Sequence, residues 1–219
     1  MPKIINLFVH YMSLHIFVST TNISTMKKII FTLAAGLFAT AASFAQTNWT
    51  GDNSHSSVLF SVGHMGVAKT VGFFTEYDVK MTSTKDDFTG SQVEITIQAK
   101  SINTMSEQRD NHLRSKDFFN TDTFPTITFK STSFTKKKGN VYEIKGMLTM
   151  RGVTKEVVLE AVYGGTKKDP WGNEKSGWAV RGKVDRTAYG ITWNTPIEGG
   201  TILDNSVEFM CEFEMVKKK

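Results

Sequence analysis

The chain has 219 residues, 40% of them hydrophobic and 11% aromatic, with a formal net charge of +5 and a single cysteine. That composition excludes a disordered chain, and the lone Cys211 excludes an internal disulfide, so a hydrophobic core must hold the fold. Three of the 26 basic residues (Lys3, Lys27, Lys28) and none of the 21 acidic ones fall in residues 1–45. The remainder therefore lacks the concentrated basic face of a nucleic-acid binder, and Lys136–Lys138 and Lys217–Lys219 read as solvated turns and ends.

From Met26, Lys27-Lys28 precede an apolar run from Ile29 to Phe44 and the cleavage-like sequence Ser43-Phe44-Ala45. This pattern predicts a secretory signal peptide over 26–45, cut near Ala45. The run Ile29–Ala42 is shorter than the roughly 20 apolar residues of a membrane-spanning helix. Residues 1–25 fit neither a signal nor a domain and read as an extension ahead of a true start at Met26.

From Trp49 onward the dominant period is two, the mark of half-buried antiparallel strands. Val58, Phe60, Val62 and His64 make the first apolar face, and Val71, Phe73, Thr75, Tyr77, Val79 and Met81 the second. Val93, Ile95, Ile97 and Ala99 follow. The stretch 106–116 breaks the alternation: Glu107 to Arg114 suit a short helix capped by Thr104 or Ser106. Alternation resumes with Tyr142, Ile144, Gly146 and Leu148, then Val157, Leu159, Ala161 and Tyr163. Trp178, Val180, Gly182 and Val184, and finally Val207, Phe209, Cys211, Phe213 and Met215, complete the set. Turn residues such as Gly164-Gly165 and Asp169-Pro170 separate the runs, with no linker, so 47–219 is one all-β domain, a closed barrel or a sandwich.

An outer-membrane barrel would need an apolar outward band, whereas Glu94, Lys145, Glu160, Arg181, Lys183, Glu212 and Glu214 fall on outward faces. His64 continues an inward face, either touching a ligand head group or resting as a core histidine on a backbone carbonyl. Arg109, Asp110 and His112 would meet a polar head group or, with Arg114, clamp the helix to the barrel. His55 beside Asp52 reads first as a turn. His55, His64 and His112 lack metal-ligand spacing, and no nucleophile, base and acid assemble for hydrolysis. Gly146 and Gly182, mid-strand and inward, either kink the barrel or leave room for a ligand. An eight-stranded barrel is filled by side chains or holds one ligand, and composition does not choose.

Several segments in series resemble the YceI-like family. They are Trp49 to Ser56, Phe60 to Gly66, Val71 to Phe74, Arg109 to Phe119, Phe124 to Phe129, Gly146 to Lys155 and Arg186 to Ile191, spanning nearly all of 48–216. The resemblance implies an extended antiparallel lipocalin-like β-barrel of about eight strands with a short helix. It further implies a periplasmic protein holding a polyisoprenoid or similar lipid in a tunnel, as carrier or buffer, and tips the aromatic residues toward that tunnel. The expected ligand-binding residues are Phe60, Val62, His64, Phe73, Tyr77, Arg109, His112, Phe129, Tyr142, Trp178, Trp193 and Phe209. No catalytic residue, metal or cofactor is expected, and the partner is a lipid. The alternative is a lipid hydrolase or isomerase in the same tunnel, with His64 or His112 as base. Transient membrane contact and a homodimer are left open.

Overall fold

Each period-two run becomes a strand because burying one face of it requires a neighbour on either side. The structure, a computed structural model, describes residues 46–219; the expected extension 1–25 and signal segment 26–45 lie outside the described residues. In chain order the first strands are β1 (Thr47–Gly51), β2 (Ser57–His64), β3 (Ala68–Phe74), β4 (Tyr77–Ser83), β5 (Gln92–Gln98) and β6 (Ile102–Asn103). The helix α1 (Glu107–Arg114) follows, then β7 (Thr126–Lys136), β8 (Val141–Met150), β9 (Val153–Lys168) and β10 (Glu174–Asp185). A two-stranded hairpin, β11 (Pro196–Ile197) and β12 (Gly200–Thr201), precedes β13 (Leu203–Lys217). Antiparallel ladders run β1-β4-β5-β7-β8-β9-β10-β13, and Trp49 opposite Lys217 closes the ring. Among the described residues the fold is a closed eight-stranded antiparallel barrel with one α-helix. Among the described residues no helix is long and apolar enough to cross a membrane.

Three of the eight staves are interrupted side by side. β1 and β2 both lie antiparallel along β13, separated by Asp52–Ser56. β4 pairs with β1 and β3 with β2, while β5 pairs with β4 and β6 with β3. The breaks bond to one another: the Thr75 and Glu76 amides donate to the Ser101 carbonyl and hydroxyl at 3.2 and 3.1 Å, and the Gln98 amide donates to the Glu76 carbonyl at 2.9 Å. Above them no ladder joins β6 to β7.

The break at Thr75–Glu76 corrects one expected face. Phe74 and Tyr77 are both buried although three residues apart, so the two-residue interruption reverses the alternation. On β3 it is Gly72 and Phe74 that point inward, while Val71 is 42% exposed and Phe73 only half-buried.

The end of the barrel opposite α1 is solid. Trp178 stands among Phe88, Phe134, Tyr142 and Tyr163 with ring centroids 4.9–5.4 Å apart, mostly edge-on or tilted. Its indole N–H donates to Ser176 Oγ at 3.2 Å, and the Tyr142 hydroxyl donates to the Asp87 carbonyl at 2.7 Å, so the plug leaves neither polar tip unpartnered. Outside, charged side chains pair across strands, as in Lys130–Glu94 at 2.8 Å and Glu208 between Lys69 and Lys183 at 2.6 and 2.8 Å.

Candidate functional site: an apolar cavity under the helix

The barrel interior is divided. Next to the aromatic plug only a void of about 30 Å³ remains, but toward α1 the interior opens into a cavity of about 330 Å³. That volume falls within the roughly 300–1,000 Å³ of small-molecule sites. The inward faces of β2, β5, β7, β8, β9, β10 and β13 make its wall, with Val62, Ile97, Ile127, Leu148, Leu159 and Val180 as representative members.

Three phenylalanines of this wall each lie over a glycine. Phe60 sits opposite Gly72 in register, and Phe209 opposite Gly182, while Phe129 crosses diagonally to Gly146 on β8. A Cβ at Gly182 would stand 2.6 Å from both Phe209 Cε2 and Leu159 Cδ2; at Gly146 it would overlap the Phe129 ring. The glycines do make room, but the room is taken by aromatic rings of the protein itself.

The cavity is roofed by α1, by the segment that follows it, and by the segment joining β10 to β13. Phe118, Trp193 and His112 form an edge-to-face and tilted cluster with centroids 4.9–5.2 Å apart. Phe119 packs edge-on against Phe74 at 6.0 Å. The expected cap does not form: Ser106 holds the N-cap position without a side-chain bond. Instead the buried Asp110 accepts from both the amide and the hydroxyl of Thr104 at 2.8 and 2.5 Å. Arg109 donates to the Thr104 hydroxyl and carbonyl, both at 2.8 Å, and Arg114 donates to the Lys100 and Ile102 carbonyls at 2.8 and 2.9 Å. These bonds staple α1 to β6. Arg151 ties the two roof segments, donating to the Gly190 and Lys116 carbonyls at 2.6 and 2.8 Å.

Of the residues expected at the site, Phe60, Val62, His64, Arg109, His112, Phe129, Trp193 and Phe209 line this cavity. Phe73, Tyr77, Tyr142 and Trp178 do not. Phe73 lies on the far side of the reversed alternation. Tyr77 is buried with its ring edge-on to Phe213, and Tyr142 and Trp178 belong to the plug, where Trp178 borders the small void. The imidazole of His64 takes no hydrogen-bond partner among the described residues, whereas His112 Nε2 meets Asp117 Oδ2 at 3.0 Å. The three histidines do not converge, since His55 lies outside the barrel beside Asp52. There the Lys175 ammonium sits between Asp52 and Glu214 at 2.9 and 2.6 Å, neutralising the carboxylates that face His55.

Sequence reasoning missed Leu113, Phe118, Phe119, Ile191 and Arg186, all cavity-lining. The adjacent pair Phe118-Phe119 inside a polar stretch was a usable signal, because two large rings seldom stay solvated there. Arg186 carried only its place at the head of the family-like segment Arg186 to Ile191. It lies just beyond β10, only 4% exposed, with Nε donating to the Asp204 carbonyl at 2.9 Å and Nη1 to the Ile191 and Trp193 carbonyls at 2.8 Å.

A barrel plugged at one end and hollow at the other, with this order of segments, agrees with a family model described as the YceI-like domain, which matches residues 49–215. The chain belongs to the YceI-like family. It is similar to UPF0312 protein SA2479 of Staphylococcus aureus (strain N315), 39% identical over 170 residues that cover 77% of this chain and 96% of that one. Among solved structures, a Campylobacter jejuni YCEI protein is 29% identical with a TM-score of 0.63, covering 72% of this chain and 90% of that one. Burkholderia cenocepacia BcnA shares the fold at 18% identity and a TM-score of 0.67, covering 75% and 98%. A polyisoprenoid binding domain from Saccharophagus degradans shares it at 12% identity and a TM-score of 0.53, covering 78% and 97%.

Proposed function

We propose that the chain binds a long-chain lipid, a polyisoprenoid or similar molecule, in the cavity beneath α1 and serves as its carrier or buffer in the periplasm. The observation that carries this reading is the almost wholly apolar cavity of about 330 Å³ in a barrel of the YceI-like family. Each methylene moved there from water contributes about 0.8 kcal/mol, so a long chain is held without specific polar contacts. The description of the Saccharophagus degradans domain as polyisoprenoid binding supports the same ligand class. The signal-like segment 26–45 supports export.

Binding is favoured over lipid turnover by the state of the wall. Its one thiol, Cys211, is pushed up to about 12 by burial and stays protonated at neutral pH, so it offers no nucleophile. The test is to purify the mature protein from a bacterial host, extract it with organic solvent and weigh the extract by mass spectrometry. A stoichiometric long-chain lipid, recovered unchanged, is the expected result. Repeated absence of lipid together with no uptake of added prenyl lipid would overturn the reading, and conversion of the added lipid would replace it with catalysis.

A further inference from the structure

We infer that Arg186 is the head-group anchor of the cavity and that the ligand carries an anionic oxygen group, a carboxylate or phosphate, at the end seated on it. The inference rests on the lipid-binding reading and names the chemistry of one end of that lipid.

The guanidinium offers five N–H donors in a fixed fork. Nε and Nη1 are engaged by the carbonyls of Asp204, Ile191 and Trp193, which fix the orientation of the group. Nη2 is buried and has no partner among the described residues. No carboxylate comes within ion-pair distance of Arg186 among the described residues. The adjoining Asp185 is turned instead to the Thr187 amide and hydroxyl, at 2.8 and 2.6 Å. Burial pulls the Arg186 pKa down, and only the charge of Asp185 pushes it back, so the cation is poorly compensated where it stands. A buried unpaired charge is costly, and a partner charge arriving with the ligand removes that cost.

The three carbonyls orient the guanidinium at the edge of the apolar cavity and bring no negative charge to it. Arg109, the other arginine of the lining, spends its Nε and Nη2 on Thr104. Nη2 of Arg186 is enclosed by its neighbours, so the incoming oxygen reaches it by displacing a wall side chain rather than across open space.

The test compares two probes of equal chain, farnesyl phosphate and farnesol, against the delipidated mature protein, with inorganic phosphate alone as a third arm. The expected result is binding of farnesyl phosphate at least tenfold tighter than farnesol and no measurable binding of free phosphate, whose site lies behind apolar wall. In Arg186→Gln the tenfold preference disappears, farnesyl phosphate losing far more affinity than farnesol. Should that variant fail to fold, nitrogen-15 NMR of the wild-type arginine side chains gives the same reading: the Arg186 guanidinium signal shifts with farnesyl phosphate and not with farnesol. Equal binding of the two probes by the wild type, or an unmoved Arg186 signal, overturns the anchor and leaves lipid binding standing. Failure of both probes to bind overturns lipid binding and the anchor together. Binding of inorganic phosphate alone with the same affinity would show a free-anion site and overturn the head-group assignment.

Discussion

The ring of Phe209 lies across Gly182, its registered partner on the neighbouring strand, where a Cβ would come within 2.6 Å of Cε2. Phe60 over Gly72 and Phe129 over Gly146 repeat the arrangement around the cavity wall. Each ring covers the backbone that a glycine leaves bare, and each glycine permits a ring to lie flat instead of jutting into the cavity.

Adding one methyl at these glycines should therefore destabilise the fold, and unequally. Gly182→Ala meets only the ends of flexible side chains, and should lose about 1–3 kcal/mol as they shift. Gly146→Ala meets the Lys130 carbonyl oxygen at 2.6 Å, backbone that cannot step aside, and should lose more. Urea unfolding of the two variants checks the order; equal and negligible losses would refute it.

The plug and the cavity should separate under mutation. Trp178→Ala removes the ring around which four other aromatics gather, and a loss of about 3–5 kcal/mol is expected. Trp193→Ala opens the roof, and should lower retention of bound lipid far more than it lowers the thermal midpoint. Dissociation rates of a fluorescent fatty acid, measured beside thermal unfolding, distinguish the two.

Acid should weaken the outer wall at a defined place. Lys183 and Lys69 hold Glu208 at about 2 in the folded protein, against an ordinary value of 4.5. A folded pKa below the unfolded one gives stability that is complete above about 4.5 and is lost as pH falls toward 2. Glu208→Gln should flatten the fall in urea midpoint between pH 5 and pH 2, and 1 M salt should shrink the difference by screening this exposed cluster.

Cys211 should react slowly. With its thiol buried and pushed up to about 12, labelling by a disulfide reagent at pH 8 is expected to be orders of magnitude slower in the native protein than in urea. Since Cys211 lines the cavity, bound lipid should slow it further. Rapid native labelling would show that the wall opens readily.

The barrel was legible in the sequence because strand alternation records which side of each residue is dry. Six of the expected apolar faces stand as read, from Val58 on β2 to Met215 on β13. The face beginning at Val71 failed at Thr75–Glu76, since periodicity assumes an unbroken strand and cannot register a reversal. The cavity was less legible than the wall. Tyr142 and Trp178 have the same inward alternation as Phe129 and Phe209, and only position along the barrel axis separates plug from lining. Arg186 stood at the head of a family-like segment, but its role was not legible there because its partners are backbone carbonyls, which every sequence supplies.

The three adjacent interruptions give the two ends of the barrel different architectures. Around the plug every strand has two hydrogen-bonded neighbours and the circle is unbroken. On the side of α1 the sheet carries β6 as an edge, with no ladder between β6 and β7. A guest entering on that side would part side chains and a helix held by arginine staples, and would separate no pair of strands. An entry placed there would stand apart from the masonry: the ring that fixes the register of the fold would stay shut while the cavity was reached.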